Sequence, residues 1–171
     1  MRGYFKSYAG KNGVGSFLLL IFFSGAVKAQ EPVKWIVDSK PEGQGVFLVT
    51  FRAVIANGWH VYSQQQPEEA VATPTKIEYI KNPLINVLGT AEEKGEKILY
   101  SNAAAGIRQY QYSGSVEFIQ RIKLTIKSSL STNICGNIHF QTCTDRECLP
   151  PQDEAFKITI SNTSPVGKLS D

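Results

Sequence analysis

Short runs of alternating apolar and polar residues, separated by Gly, Pro and Asn, dominate the chain from residue 33 onward. Alternation with a period of two is typical of β-strands that bury one face. Strands are predicted in this way at residues 33–40, 46–55, 59–63, 76–80, 85–88, 116–127, 137–142 and 155–160. Turn signals recur every roughly 8–12 residues, which favours an all-β fold of the β-sandwich type.

The chain between Gly89 and Gly114 is the most polar interval, and we predict a long loop there. Helix signals are weak. The alanine-containing segments 70–72 and 103–105 lie beside Pro74 and Gly106, and no apolar stripe with a 3.6-residue period continues through them. The ordered core is expected at about 33–160, with a frayed tail after Ser161.

The first 29 residues have the three parts of a secretory signal. A basic, polar segment at 1–13 precedes an apolar stretch at 14–27, and Val27-Lys28-Ala29 supplies compact residues at a cleavage position. A helix of that apolar length, at about 1.5 Å per residue, extends about 21 Å, short of the roughly 30 Å hydrocarbon core of a membrane. We therefore predict cleavage near Ala29 and export of a mature domain, residues 30–171, without a membrane-spanning segment.

The net charge of +3 does not point to nucleic acid as a partner. Four of the 18 Lys and Arg residues precede residue 30, and no Asp or Glu does. The remaining 14 basic and 15 acidic residues give the mature domain a formal charge of −1. A basic surface for nucleic acid or for an anionic membrane is therefore not expected.

The three cysteines are the clearest chemical feature of the chain. Cys143 and Cys148 are separated by four residues, which can form the tip of a hairpin between two predicted strands. Facing residues of a hairpin have Cα atoms about 4.5–5.5 Å apart, within the range that a disulfide accepts. Pro150 and Pro151 stiffen the chain just after Cys148. Cys135 lies a full strand away and is interpreted as a plain buried thiol.

A cysteine pair of this kind can serve in three ways. A structural disulfide is the commonest use in an exported protein, although so short a loop gives only roughly 2 kcal/mol of stabilisation. A redox-active pair is the second use. A metal site with Cys135 and His139 is disfavoured, because His139 and Cys143 would lie about 13 Å apart along one strand. The residues alone leave the structural and the redox interpretation open.

The segment FQTCTDRECLPP at residues 140–151, followed by a short strand, resembles the active-site segment of the N-terminal periplasmic domain of DsbD-type thiol:disulfide interchange proteins. GWHVYS at 58–63 is similar to the aromatic strand of that family, and YSGSVEF at 112–118 to the segment after its cap loop. The likeness extends over about residues 33–160. It departs from some members in having four residues, and not five, between the cysteines.

The resemblance implies an immunoglobulin-like β-sandwich with a redox-active pair, Cys143 and Cys148, that has no CxxC motif. Cys148 matches the cysteine that forms the mixed disulfide, Cys143 matches its resolving partner, and Tyr62 matches an aromatic residue beside them. The family also implies an aromatic cap over the cysteines, for which Tyr110 and Tyr112 are the candidates in this chain.

The same resemblance implies a periplasmic thiol:disulfide oxidoreductase that relays electrons. Its partners would be periplasmic thioredoxin-like oxidoreductases and a separate membrane electron donor, because this sequence lacks the transmembrane and thioredoxin-like domains of full-length members. No cofactor, metal or nucleic acid is expected. The alternative is an immunoglobulin-like envelope binding module with a purely structural disulfide. His60 and His139 are interpreted as ordinary surface or hydrogen-bonded histidines.

Overall fold

A computed structural model describes residues 31–125 and 131–161, and every regular element within these ranges is a β-strand. In chain order the strands are β1 (Val33–Gly43), β2 (Val46–Ile55), β3 (His60–Tyr62), β4 (Lys76–Tyr79), β5 (Ile85–Gly95), β6 (Ile98–Asn102), β7 (Ile107–Tyr112), β8 (Ser115–Leu124), β9 (Ser131–Phe140), β10 (Thr142–Cys143) and β11 (Gln152–Ser161). No helix in the described part of the chain could cross a membrane. The predicted signal segment and the predicted tail beyond Ser161 lie outside the described residues.

The strands form three antiparallel sheets. The first has the order β1-β2-β8-β5, the second β11-β9-β4 and the third β10-β3-β7-β6. Side chains of the first two sheets supply most of the core, where the fully buried residues include Val49, Phe51, Phe118, Ile122, Ile134 and Ile138. The predicted fold class, an all-β immunoglobulin-like β-sandwich, is confirmed.

Aromatic side chains connect the two core sheets. Trp35 of β1 packs edge-on against Phe140 of β9, with ring centroids 5.3 Å apart, and Phe51 of β2 meets Phe156 of β11 at 4.8 Å. Gly136 of β9 lies under the Phe156 ring, where a Cβ atom would come within 2.6 Å of that ring and would overlap the main chain of β4. The Phe156 ring can pack against β9 only because residue 136 has no side chain.

The prediction of a long loop between Gly89 and Gly114 is wrong, because most of this interval is strand. β5 continues to Gly95, and β6 and β7 form a hairpin around a turn at residues 103–106. The hairpin lies at the edge of the third sheet and buries polar side chains, among them Gln109 and Gln111. An apolar alternation is therefore missing from its sequence, although the backbone is extended.

A bulge in β5 explains why the apolar pattern of that strand stops at Leu88. The pairing of β5 with β8 shifts register between Leu88 and Glu92, and Gly89 adopts a φ of 66° there. Gln120 of β8 points into this gap, is 3% exposed, and donates to the carbonyls of Leu88 (2.8 Å) and Gly89 (3.3 Å). A polar side chain on the core face of β8 thus replaces the missing main-chain partners.

Candidate functional site

Cys143 and Cys148 form a disulfide at the tip of a hairpin, with their Cα atoms 4.0 Å apart. The two residues also face each other as an isolated β-bridge. Across the tip, the main-chain N–H of Thr144 donates to the carbonyl of Glu147 at 2.8 Å. The Thr144 hydroxyl accepts two further main-chain N–H groups of the tip. The hairpin that the cysteine spacing predicts is therefore present, and its own hydrogen bonds hold it closed.

The two cysteines differ in exposure. Cys143 ends β10, is 1% exposed and forms a small buried cluster with Tyr62 and Ala72. Cys148 lies in the loop after the tip and is exposed. A thiolate that attacks a disulfide must reach one of its sulfur atoms. Of the two cysteines, Cys148 is therefore the residue that is open to solvent, and Cys143 is the buried one.

The third sheet has two different faces, and the disulfide belongs to the outer one. Successive residues of a strand point to opposite faces, so Val61 of β3 joins the main core while His60 and Tyr62 lie on the disulfide side. Cys143 is the direct partner of His60 in the pairing of β10 with β3. Tyr62 is the partner of Gln111 in the pairing of β3 with β7. The outer face therefore continues from the disulfide across β3 and β7.

A cavity of about 240 Å³ lies on this outer face, against the disulfide. This volume is below the roughly 300–1,000 Å³ of typical small-molecule pockets. Val71, which is 71% exposed, adds an apolar side chain to its lining. In the parts of the chain that the structure describes, no group of three or more His, Cys, Asp or Glu side chains is placed to hold a metal ion. The strands line the cavity with His60, Tyr62, Tyr100, Ile107, Gln109 and Gln111.

Tyr62 lines the cavity beside both cysteines. It is 1% exposed, and its ring packs edge-on against His60 at a centroid distance of 5.7 Å. The side-chain amide of Gln109 donates to its hydroxyl at 3.4 Å. Burial raises the pKa of Tyr62 to about 12, so the phenol remains protonated and neutral at physiological pH. Tyr62 can shape the site without carrying a charge.

The structure does not bring Tyr110 or Tyr112 to the cysteines. Both residues alternate with Gln109 and Gln111 along β7, and only the two glutamines line the cavity. Tyr112 is instead 1% exposed within the main core. The expected aromatic cap is therefore not formed by these two tyrosines.

The β6–β7 hairpin nevertheless covers the outer face with other side chains. Tyr100 of β6 and Ile107 of β7 both line the disulfide cavity. Neither residue is among those expected at the site from the sequence. A strand prediction for the hairpin, followed by alternation in steps of two from Gln109, would have placed Ile107 on the same face.

Glu93 of β5 supports the third sheet from its core side, and nothing in the sequence singles it out. Its carboxylate accepts hydrogen bonds from the hydroxyls of Tyr112 (2.6 Å) and Ser63 (2.7 Å) and from the main-chain N–H of Gln64 (2.6 Å), and it pairs with Lys97 at 2.7 Å. Burial alone would raise the pKa of Glu93, but these hydrogen bonds together outweigh it and lower the pKa to about 2. An ionised carboxylate thus holds the chain directly after β3.

The two histidines and the third cysteine lie in different surroundings. His60 is 7% exposed at the disulfide cavity, so the interpretation as an ordinary histidine does not hold for it. His139 of β9 pairs with Glu78 at 2.9 Å and with Asp153, and the hydrogen bonds to these carboxylates raise its pKa. Cys135, also on β9, is a free thiol that is half-buried, and not fully buried as expected.

These features define a class of protein: an all-β sandwich that carries a disulfide at a surface cavity, with one cysteine buried and the other exposed. The chain matches the family model of the thiol:disulfide interchange protein DsbD, N-terminal, over residues 29–160. Because this match extends over more than half of the chain, the chain belongs to the family of DsbD N-terminal domains. The family that the sequence motifs indicated is confirmed.

Solved structures give two further similarities. The N-terminal periplasmic domain of ScsB from Proteus mirabilis is 17% identical, with a TM-score of 0.45, and the match covers 74% of this chain and 44% of that one. The N-terminal domain of Neisseria meningitidis DsbD in the reduced form is 17% identical, with a TM-score of 0.38, and the match covers 74% of this chain and 86% of that one. The chain thus spans less than half of the ScsB structure. A comparison with curated proteins finds no match.

Proposed function

We propose that this chain is an exported thiol:disulfide interchange protein that relays electrons through Cys143 and Cys148 to or from periplasmic thioredoxin-like oxidoreductases. A separate membrane protein would supply the electrons. The observation that carries the proposal is the unequal exposure of the two cysteines. Cys143 is 1% exposed and Cys148 is exposed, and both line a surface cavity. Membership of the DsbD N-terminal family supports the same chemistry.

The exchange proceeds by two sulfur displacements. During reduction, a thiolate of the donor attacks Sγ of Cys148, the disulfide breaks, and Sγ of Cys143 leaves with the electron pair. The second thiolate of the donor then attacks its own sulfur in the mixed disulfide, and Sγ of Cys148 leaves. Each cycle transfers two electrons and two protons to the cysteine pair, and the reverse sequence delivers them to an oxidised acceptor.

A purely structural disulfide in an envelope binding module is the alternative function. A structural disulfide gains nothing from the exposure of one of its cysteines, and a loop this short gives only roughly 2 kcal/mol of stabilisation. The main core does not include Cys143, which belongs to a separate small cluster. These observations favour the redox function.

The proposed compartment rests on the predicted signal at residues 1–29 and on the family. Fractionation of cells that express the full chain, followed by N-terminal sequencing of the product, tests it directly. We expect the protein in the periplasmic fraction with Gln30 as its first residue. Retention of residues 1–29 in a cytoplasmic product would contradict the export proposal.

The roles of the cysteines are tested by trapping. Cys143→Ser and Cys148→Ser are each made in a Cys135→Ala background, which removes the third thiol. Each reduced variant is mixed with a thioredoxin whose remaining active-site cysteine has been activated with an aromatic disulfide reagent. We expect Cys143→Ser to form a stable mixed disulfide through the exposed Cys148. We expect Cys148→Ser to form little, because Cys143 is buried.

The result is measured by non-reducing electrophoresis and mass spectrometry. Equal trapping by both variants, or by neither, would contradict the assignment of roles. A redox titration of the wild type distinguishes a redox-active pair from a structural disulfide. A redox-active pair equilibrates with glutathione or thioredoxin buffers, whereas a structural disulfide resists reduction down to potentials below about −300 mV. Cys135→Ala alone is the matched control and should leave the titration unchanged.

A further inference from the structure

His60 occupies a position that fits chemistry at Cys143. It is the direct cross-strand partner of Cys143, and side chains opposite each other in an antiparallel pair lie on one face with Cβ atoms about 4.5–5.5 Å apart. His60 and both cysteines line the same cavity. The imidazole is 7% exposed and is held edge-on against Tyr62.

The charged and titratable groups around His60 come from three elements. Asp145, Arg146 and Glu147 line the cavity from the hairpin tip, Tyr62 from β3 and Tyr100 from β6. Burial lowers the pKa of His60, and the charge of Asp145 opposes this shift without reversing it. The imidazole is therefore mostly neutral at physiological pH and can accept a proton.

Cys143 needs a proton acceptor when it acts as a thiol. Burial of a thiol in apolar surroundings disfavours its thiolate, and Cys143 is 1% exposed beside Tyr62 and Ala72. The Tyr62 phenol cannot serve as the acceptor, because its pKa of about 12 keeps it protonated. Among the strand side chains that line the cavity, His60 is the group that can take up a proton near neutral pH.

From this arrangement we infer that His60 is the proton acceptor and donor for Cys143 during disulfide exchange. The inference rests on the proposed function. When the reduced pair is oxidised, His60 takes the proton of the Cys143 thiol as its sulfur attacks Sγ of Cys148 in the mixed disulfide. The new Cys143–Cys148 bond forms, and the partner sulfur leaves with the electron pair. When the pair is reduced, the imidazolium of His60 returns the proton to the departing Cys143 sulfur.

The two steps of oxidation by glutathione disulfide separate this role from a structural one. The first step joins glutathione to Cys148, and the second, in which Cys143 resolves the mixed disulfide, requires the proton transfer. His60→Gln should slow the second step at neutral pH by at least about tenfold and leave the first step essentially unchanged. Acid-quenched samples analysed by mass spectrometry give both rates, and the glutathione adduct should accumulate in the variant.

The pH profile provides the readout that altered packing would not produce. In the wild type, the resolution rate should rise with pH through the titration of His60, below about pH 6.5, and then level off. In His60→Gln this limb should disappear, leaving only the alkaline rise of the unassisted thiol. His60→Phe, which keeps a ring against Tyr62, should behave like His60→Gln. The matched control is His139→Gln, on β9, which should retain the wild-type rates and profile.

A resolution rate and pH profile in folded His60→Gln or His60→Phe equal to those of the wild type would overturn the inference. If both variants fail to fold, an NMR titration of the wild type decides. The pKa of His60 should then change when the disulfide is reduced, while that of His139 stays fixed, and an unchanged His60 pKa would overturn the inference. Failure of the proposed function looks different, because the wild-type disulfide would then resist reduction down to potentials below about −300 mV in the redox titration, whatever the His60 variants do.

Discussion

Replacing Glu93 by glutamine should destabilise the protein by about 2–3 kcal/mol at neutral pH and by almost nothing near pH 2. Glu93 is the buried anchor between β5 and the third sheet, and its carboxylate accepts hydrogen bonds from Tyr112, Ser63 and the main chain of Gln64. Glutamine keeps one acceptor oxygen. Its NH₂ group, however, cannot accept from the hydroxyl donors and carries no charge to pair with Lys97.

The magnitude follows from the pKa of Glu93. It is lowered from 4.5 in the unfolded chain to about 2 in the folded protein. Each pKa unit corresponds to about 1.4 kcal/mol, so the ionised carboxylate stabilises the fold by at most about 3 kcal/mol. Its side chain is 9% exposed, and solvent screening therefore removes little of this amount. Because the pKa is lowered on folding, the stabilisation is full above about pH 4.5 and is lost as the pH falls toward 2.

Urea unfolding of wild type and Glu93→Gln over this pH range measures the effect. The matched control is Glu92→Gln, one residue earlier in β5, whose side chain is 62% exposed and lies 3.8 Å from Lys94. The control should change the free energy of unfolding by less than about 0.5 kcal/mol, as exposed ion pairs do. A loss in Glu93→Gln that stays constant down to low pH, or one that Glu92→Gln reproduces, would refute the reasoning.

Three further predictions concern the cavity, the core and the histidines. Tyr100→Ala should increase several-fold the rate at which iodoacetamide alkylates the reduced cysteines, because Tyr100 lines the disulfide cavity. Tyr110→Ala, on the other face of the same hairpin, should leave this rate unchanged, and equal rates in both variants would contradict the cavity geometry. Gly136→Ala should cost about 3 kcal/mol in urea unfolding, because its Cβ would overlap the main chain of β4, and an unchanged midpoint would contradict this. In an NMR titration, His60 should titrate below 6.5 and His139 above it, so coincident curves would contradict the burial of the first or the carboxylate contacts of the second. The ion pairs of His139 should stabilise the fold below about pH 6.5 and be lost as the pH rises through its raised pKa.

The strands of the core sheets are predictable because each buries an apolar face. Alternation predicts a strand at residues 46–55, and β2 runs from Val46 to Ile55 with Val49 and Phe51 fully buried. The β6–β7 hairpin is not predictable in the same way, because the outer face of the third sheet buries the polar side chains of Gln109 and Gln111. A pattern of apolar and polar residues cannot identify a strand whose buried face is polar.

The candidate site also has one part that the sequence predicts and one part that it does not. The hairpin tip between Cys143 and Cys148 is predictable, since it depends on a few adjacent residues. The cap is not, because the residues that face the disulfide depend on the register of β7 against β3, which places Gln111 opposite Tyr62. A shift of one residue in that register would turn Tyr110 and Tyr112 toward the cavity. Only the tertiary structure fixes this choice.

The arrangement of the third sheet bears on how the disulfide can open and close without disturbing the fold. Val61 and Tyr112 join the sheet to the main core at 0% and 1% exposure, so the strand next to Cys143 is held as firmly as the core itself. Cys148 lies beyond β10, in an exposed loop whose closing hydrogen bonds do not involve its sulfur. Reduction therefore frees the sulfur of the exposed Cys148 from that of Cys143, whose strand pairs with β3. Near-ultraviolet circular dichroism should accordingly change little on reduction, whereas the free energy of unfolding in urea should fall by roughly 2 kcal/mol, the amount that so short a cross-link supplies.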